Sequence, residues 1–156
     1  MIELMSAVVV VGIMSAMAVP RMQVAWERLH FRTANKDMIS MARLARSNAI
    51  SEKQPYGVYF DGNAKTYTMY KDIQSQSNYT FDAGDSVISV DTLPPEFTYL
   101  ATMMSGDAMV FQPNGSVGMN GSGLIVTLAM TDNLVAIQVH TILASTGRIQ
   151  TWSEYY

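Results

Sequence analysis

The sequence contains no cysteine, which excludes a disulfide scaffold, a thiolate zinc site and a cysteine nucleophile together. The redox compartment stays open, because oxidising and reducing spaces both accept cysteine-free chains. Charge is scarce as well: 15% of residues carry it, against roughly 25% in an average soluble domain. The two histidines, His30 and His140, lie far apart with no HExxH-type spacing, so neither reads as a metal ligand. No GxGxxG or Walker sequence occurs, so a nucleotide site is unsupported. A net charge of −3 and a pI near 5.2 argue against broad nucleic-acid binding. Asp82 and Asp85, followed by Ser86, offer oxygens to a calcium ion but lack the further carboxylates of a complete loop. The expectation is a non-enzymatic chain with no cofactor, no metal and no catalytic residue.

What is present is distributed unevenly. The chain has 156 residues, 49% of them hydrophobic, which suffices for one domain with a buried core. Thirteen methionines fit irregular packing or contact surfaces. Much of the apolar content is concentrated at the start: Leu4 to Val19, LMSAVVVVGIMSAMAV, carries no charge. As a helix it would be about 24 Å long, slightly short of a bilayer core of about 30 Å. A lone acid, Glu3, precedes it, and in hydrocarbon a carboxylate costs at least about 2.5 kcal/mol unless it finds a partner.

Three readings of this segment compete. A cleavable export signal would have the small-residue site Ala16-Met17-Ala18, but no basic residue precedes the apolar run. A buried core helix, apolar all round, would need a larger protein to surround it. An anchor helix that continues into water, with Pro20 and Arg21 at the boundary, fits the pattern of the next thirty residues. From Arg21 to Lys53, Phe31, Ala34, Met38, Met41, Ala42, Ala45 and Ala49 recur at spacings of three and four, while Arg28, Arg32, Lys36, Asp37, Arg43 and Arg46 occupy the other face. No glycine or proline interrupts the run between Pro20 and Pro55. The expectation is one helix of about fifty residues, bent near Pro20 because proline lacks an amide hydrogen and clashes with the preceding turn. Charge is polarised along the chain. Arg21 to Lys53 holds seven basic and three acidic residues, whereas Gln54 to Tyr156 holds three basic and nine acidic. The basic residues read as a solvated helix face, or as partners for a neighbouring subunit or anionic headgroups.

The opening MIELMSAVVVVGIMSAMAVPRM resembles the amino-terminal helix of type IV pilins and type II secretion pseudopilins: a glutamate near the start, a mid-run glycine (Gly12), and a proline (Pro20) eight residues later. RLARSNAISEKQPYGVYF, MVFQPNGSV and STGRIQTW resemble the GspH/FimT branch. The resemblance implies an α+β, pilin-like fold: residues 1–53 as a helix kinked near Pro20, with 1–20 a membrane anchor and 21–53 packed on a head, and residues 54–156 as that β-rich head. It implies a minor pseudopilin that assembles through its helix into a type II secretion pseudopilus and helps protein export, with a FimT-like minor pilin of type IV pili as the alternative. The implied partners are other pilin or pseudopilin subunits, the inner membrane, the assembly machinery and, for a precursor with a basic leader ending in glycine upstream of Met1, the prepilin peptidase. The implied location is a single-pass inner-membrane protein with its head in the periplasm, and then the filament. Glu3, Gly12 and Pro20 are the implied assembly residues. In the family the glutamate pairs with the amino group of an adjacent subunit's first residue.

The head itself reads as strands: Tyr56–Phe60 and Thr66–Tyr70 around the turn Asp61-Gly62-Asn63, then Val87–Val90, Met109–Phe111, Leu124–Leu128, Val135–His140 and Arg148–Trp152. These argue for an antiparallel sheet or pair of sheets. Asp72–Asp85 and Asp91–Asp107 read as loose surface loops, where partner contacts are usual. Some FimT-like relatives bind DNA through basic tails. Here the tail holds one arginine, Arg148, beside Glu154, which predicts weak, salt-sensitive phosphate binding. Trp152, Tyr155 and Tyr156 could stack on bases but fit core or subunit contacts better. DNA is therefore not an expected partner, with Arg148 and Trp152 the residues that would serve it.

Overall fold

The computed structural model describes residues 2–74, 77–131 and 134–156. One helix, α1, runs from Ile2 to Glu52, 51 residues, a rod about 77 Å long. Seven strands complete the chain: β1 (Tyr56–Asp61), β2 (Thr66–Lys71), β3 (Ser86–Thr92), β4 (Phe97–Phe111), β5 (Val117–Met130), β6 (Val135–Leu143) and β7 (Arg148–Tyr155). They form a single antiparallel sheet in the order β3-β2-β1-β4-β5-β6-β7. The first three strands therefore form one meander, the last four another, and the chain returns between them to place β4 beside β1. Of Pro20 and Arg21 only the helical backbone is described; the expected bend at Pro20 lies outside the described features, as does Met1.

The carboxyl-terminal part of α1 lies across the sheet because its apolar spacing matches one helix face. Phe31, Ala34, Met38, Ile39, Ala42, Ala45 and Ala49 are buried against Tyr56, Val58, Phe60, Met69, Phe111 and Ile125. Three alanines in the last turns let the helix axis approach β1, where bulkier residues would hold it away. Phe31 stacks on Phe97, ring centres 4.9 Å apart. The β1–β2 turn is set by Asp61, whose Oδ1 accepts the amide hydrogens of Asn63 and Ala64 at 2.8 and 2.9 Å.

Two segments differ from their sequence reading. Phe97–Asp107, expected within a loop, belongs to β4, whose Phe97, Leu100 and Met104 are buried. Register shifts against β5 and a left-handed Gly106-Asp107 (φ 79° and 49°) blur the alternation that marks a strand in sequence. The stretch between β2 and β3 is a loop as expected, but it is packed. Asp85 accepts amide hydrogens from Ile73, Gln74 and Asp82 at 2.9 to 3.4 Å. Phe81 stacks on Tyr59 and leans on Tyr70, at 5.2 and 4.9 Å between ring centres. The loop thus covers the sheet face turned away from α1, where Tyr70, Ala108 and Val110 are buried.

Candidate assembly surface

The two halves of α1 meet different surroundings. In the packed half, Asn35 is buried among apolar residues and satisfied: Nδ2 donates to Phe31 O at 2.9 Å, and Oδ1 accepts from Thr127 Oγ1 at 2.7 Å. His140 Nε2 lies 3.1 Å from the same Oδ1 and Nδ1 lies 3.0 Å from Thr151 Oγ1. An Oδ1 acceptor makes Nε2 the protonated nitrogen, leaving Nδ1 to accept from Thr151. Burial lowers the His140 pKa to about 4, because the interior disfavours the imidazolium. His140 is therefore a neutral pin between helix and sheet. Sequence inspection missed Asn35 and Thr127. A lone asparagine on an otherwise apolar helix face was the available signal.

The basic face is partly absorbed by the chain itself. Arg32 Nε donates to Tyr155 Oη at 3.0 Å, and the Arg32 guanidinium sits 4.8 Å from that ring's centre. Tyr155 is thereby a helix contact rather than a free stacking residue. Arg46 Nε donates to Gly115 O at 3.1 Å. His30 is exposed, with Glu96 Oε1 3.8 Å away. Among the described residues no group of three acids or histidines is placed to hold a metal ion. The Asp85 carboxylate, one half of the candidate calcium pair, is engaged by backbone amides instead.

The leading half has no such cover. Leu4, Val8 and Met14 are 71%, 68% and 68% exposed, and Met5, Val9, Val10, Val11 and Ile13 are exposed with them. Glu3 stands exposed at the end of this rod. The Ser6 and Ser15 hydroxyls donate back to Glu3 O and Val11 O at 2.8 Å each, so the helix satisfies them internally and presents small, largely apolar surface. Around Gly12 there is open space: a Cβ built there would meet nothing within 4 Å. The fold therefore does not require glycine at this position. Among the described residues no helix is long and apolar enough to cross a membrane. The two candidate DNA contacts lie on β7, four residues apart. Trp152 is 56% exposed, and Arg148 is among the residues that line a groove beside the helix.

A long amino-terminal helix laid on one antiparallel sheet, with its leading part projecting bare, defines a pilin-like protein. The structure is similar to that described as the minor pseudopilin EpsH from the Type 2 Secretion System of Vibrio cholerae, at a TM-score of 0.58 and 14% identity, covering 78% of this chain and 95% of that one. No curated protein sequence matches. The family described as "Type II transport protein GspH" matches residues 34–147, well over half of the chain, and the chain belongs to this family.

Proposed function

We propose that this chain is a minor pseudopilin whose leading helix anchors it in the inner membrane and then packs among sister helices of a type II secretion pseudopilus, with the head on the periplasmic side. The observation that carries the reading is the uncovered apolar rod from Leu4 to Met14, terminated by Glu3. Each Leu, Val, Ile or Met withdrawn from water is worth about 1.5–3 kcal/mol, so a segment with many such residues exposed requires lipid or other helices around it. Bundling among helices would let sister rods approach at Gly12, Ala7 and Ala16. A carboxylate in that setting is tolerated only beside a cation, and a neighbouring subunit's terminal amine is the partner of matching charge. Glu3 is then a registry device: the helix can enter the bundle only where that partner lies. Pro20 would bend the helix where it leaves lipid. The mechanical consequence is a subunit that supports protein export by filament assembly.

Glu3→Ala in the full-length, membrane-inserted protein tests this. We expect the head to remain folded and the subunit to be missing from sheared filaments. Normal incorporation would remove the assembly role from Glu3.

A further inference from the structure

A groove of about 500 Å3 lies between the end of α1 and the start of β7. The carboxyl-terminal tail by itself brings a single arginine to it. The fold adds two more to its lining, Arg43 and Arg46 from the helix beside Arg148 from the strand, together with the apolar Ile50, Phe111 and Ile149. Arg46 is held in place by two turns. Gly115 and Gly147 have φ of 81° and 63°; a Cβ on Gly147 would meet Gly115 O at 2.6 Å and Arg46 Nε at 3.0 Å. The guanidinium therefore lies against glycine backbone where no side chain could fit. Among the described residues the ion pairs are His30 with Glu96 and Lys71 with Glu52, and no carboxylate reaches Arg43 or Arg148.

We infer that this groove is the docking site for an acidic segment carrying an apolar anchor, supplied by the head of a neighbouring pseudopilin subunit. Three arginines lining a partly apolar groove match a carboxylate-flanked aliphatic or aromatic side chain. A groove of this size takes a few side chains rather than a duplex. Nucleic-acid affinity grows with the number of phosphate contacts, and three give a salt slope of only about −2.7. The chain's own charge asymmetry supplies the complement: residues 54–156 carry nine acids and three bases, whereas 21–53 carry seven bases and three acids. Heads built this way, stacked beside helices built this way, meet with opposite sign. The choice of partner rests on the filament role proposed for this chain.

The test uses the full chain in detergent at about 0.1 M salt, where the Debye length is about 10 Å. The probes are a fluorescein-labelled Glu-Asp-Phe-Asp-Glu peptide, its Gln-Asn-Phe-Asn-Gln counterpart and a labelled short oligothymidine, followed by anisotropy. We expect the acidic peptide to bind at least about tenfold more tightly than the amide version, because the guanidiniums are left unpaired in the latter. Arg43→Gln and Arg148→Gln should each weaken it roughly three- to tenfold, a range for partly exposed charge pairs, with an unchanged thermal midpoint for both variants. Equal binding of the two peptides, indifference to both substitutions, or tighter binding of oligothymidine would overturn the inference. The outcome is separable from the filament role, since peptide binding in detergent needs no filament. Filaments that accept Glu3→Ala would sink that role while leaving the groove result in place.

Discussion

The leading and trailing halves of α1 share one backbone conformation and differ in everything that decides their fate. In the trailing half Phe31 and Met38 are 1% and 0% exposed, and the alternate face holds the charges. In the leading half Leu4 and Val8 are more than two-thirds exposed, and the run from Leu4 to Val19 carries no charge. An amphipathic helix can be satisfied by one sheet. A uniformly apolar one needs surroundings on all sides, which a single 156-residue chain cannot supply while also building a head. The contrast separates residues whose loss is felt within the molecule from residues whose loss is felt only between molecules.

The sharpest way to break that contrast is to truncate a side chain in each half. Phe31→Ala should cost about 3–5 kcal/mol, the range for a buried aromatic, and should lower the thermal midpoint of the head by many degrees. Val8→Ala should leave that midpoint unchanged. Equal midpoints for the two variants would mean that the trailing half is not part of the core.

Acid should act on the contact between the trailing half and the sheet, where His140 of β6 meets Asn35. His140 titrates at about 4 in the folded chain and near 6.5 when unfolded, so the unfolded state binds more protons between those values. Its contribution to stability is fully present above about pH 6.5 and is lost as pH falls through about 4, in total about 3 kcal/mol. Denaturant midpoints across this window should fall more steeply for the native sequence than for His140→Gln. Parallel curves would show that the Asn35–His140–Thr151 link carries no proton-linked stability.

A smaller effect probes the opposite sheet face. A Cβ on Gly57 would lie 2.2 Å from the Tyr70 ring, so Gly57→Ala has to displace Tyr70 and, through it, Phe81. Overpacking of this kind costs typically about 1–3 kcal/mol, and exposure of Phe81 should appear as faster proteolysis between Asp72 and Asp85. The smallest effect on stability belongs to Gly12→Ala, which meets open space and gains about 1 kcal/mol of helix propensity at most. Its consequence should appear in assembly: wider helix spacing and weaker incorporation into filaments.

Much of the architecture was legible. Every strand core expected from β-branched and aromatic runs falls inside one of the seven strands, because alternation and turn residues are local signals. The buried helix face follows from spacing for the same reason. Phe97–Met104 was hidden because its alternation is broken by register shifts and preceded by Pro94-Pro95. The covering role of the loop through Phe81 was hidden because its anchor residues pack on strands distant in sequence. For the sites, Glu3 and Gly12 are visible as anomalies in a uniform run, whereas the Arg43–Arg46–Arg148 groove joins residues about a hundred positions apart.

By itself the sequence determined the rod, its charge polarity, the turn positions and the face that α1 buries, since each depends on periodicity or on the chemistry of adjacent residues. Tertiary structure alone decided that the strands form one sheet with β4 returning beside β1, that His140 is held neutral under Asn35, and that three separate arginines share one groove. Those outcomes depend on contacts between distant segments, and the energy of such contacts is set by which surfaces the whole fold brings together.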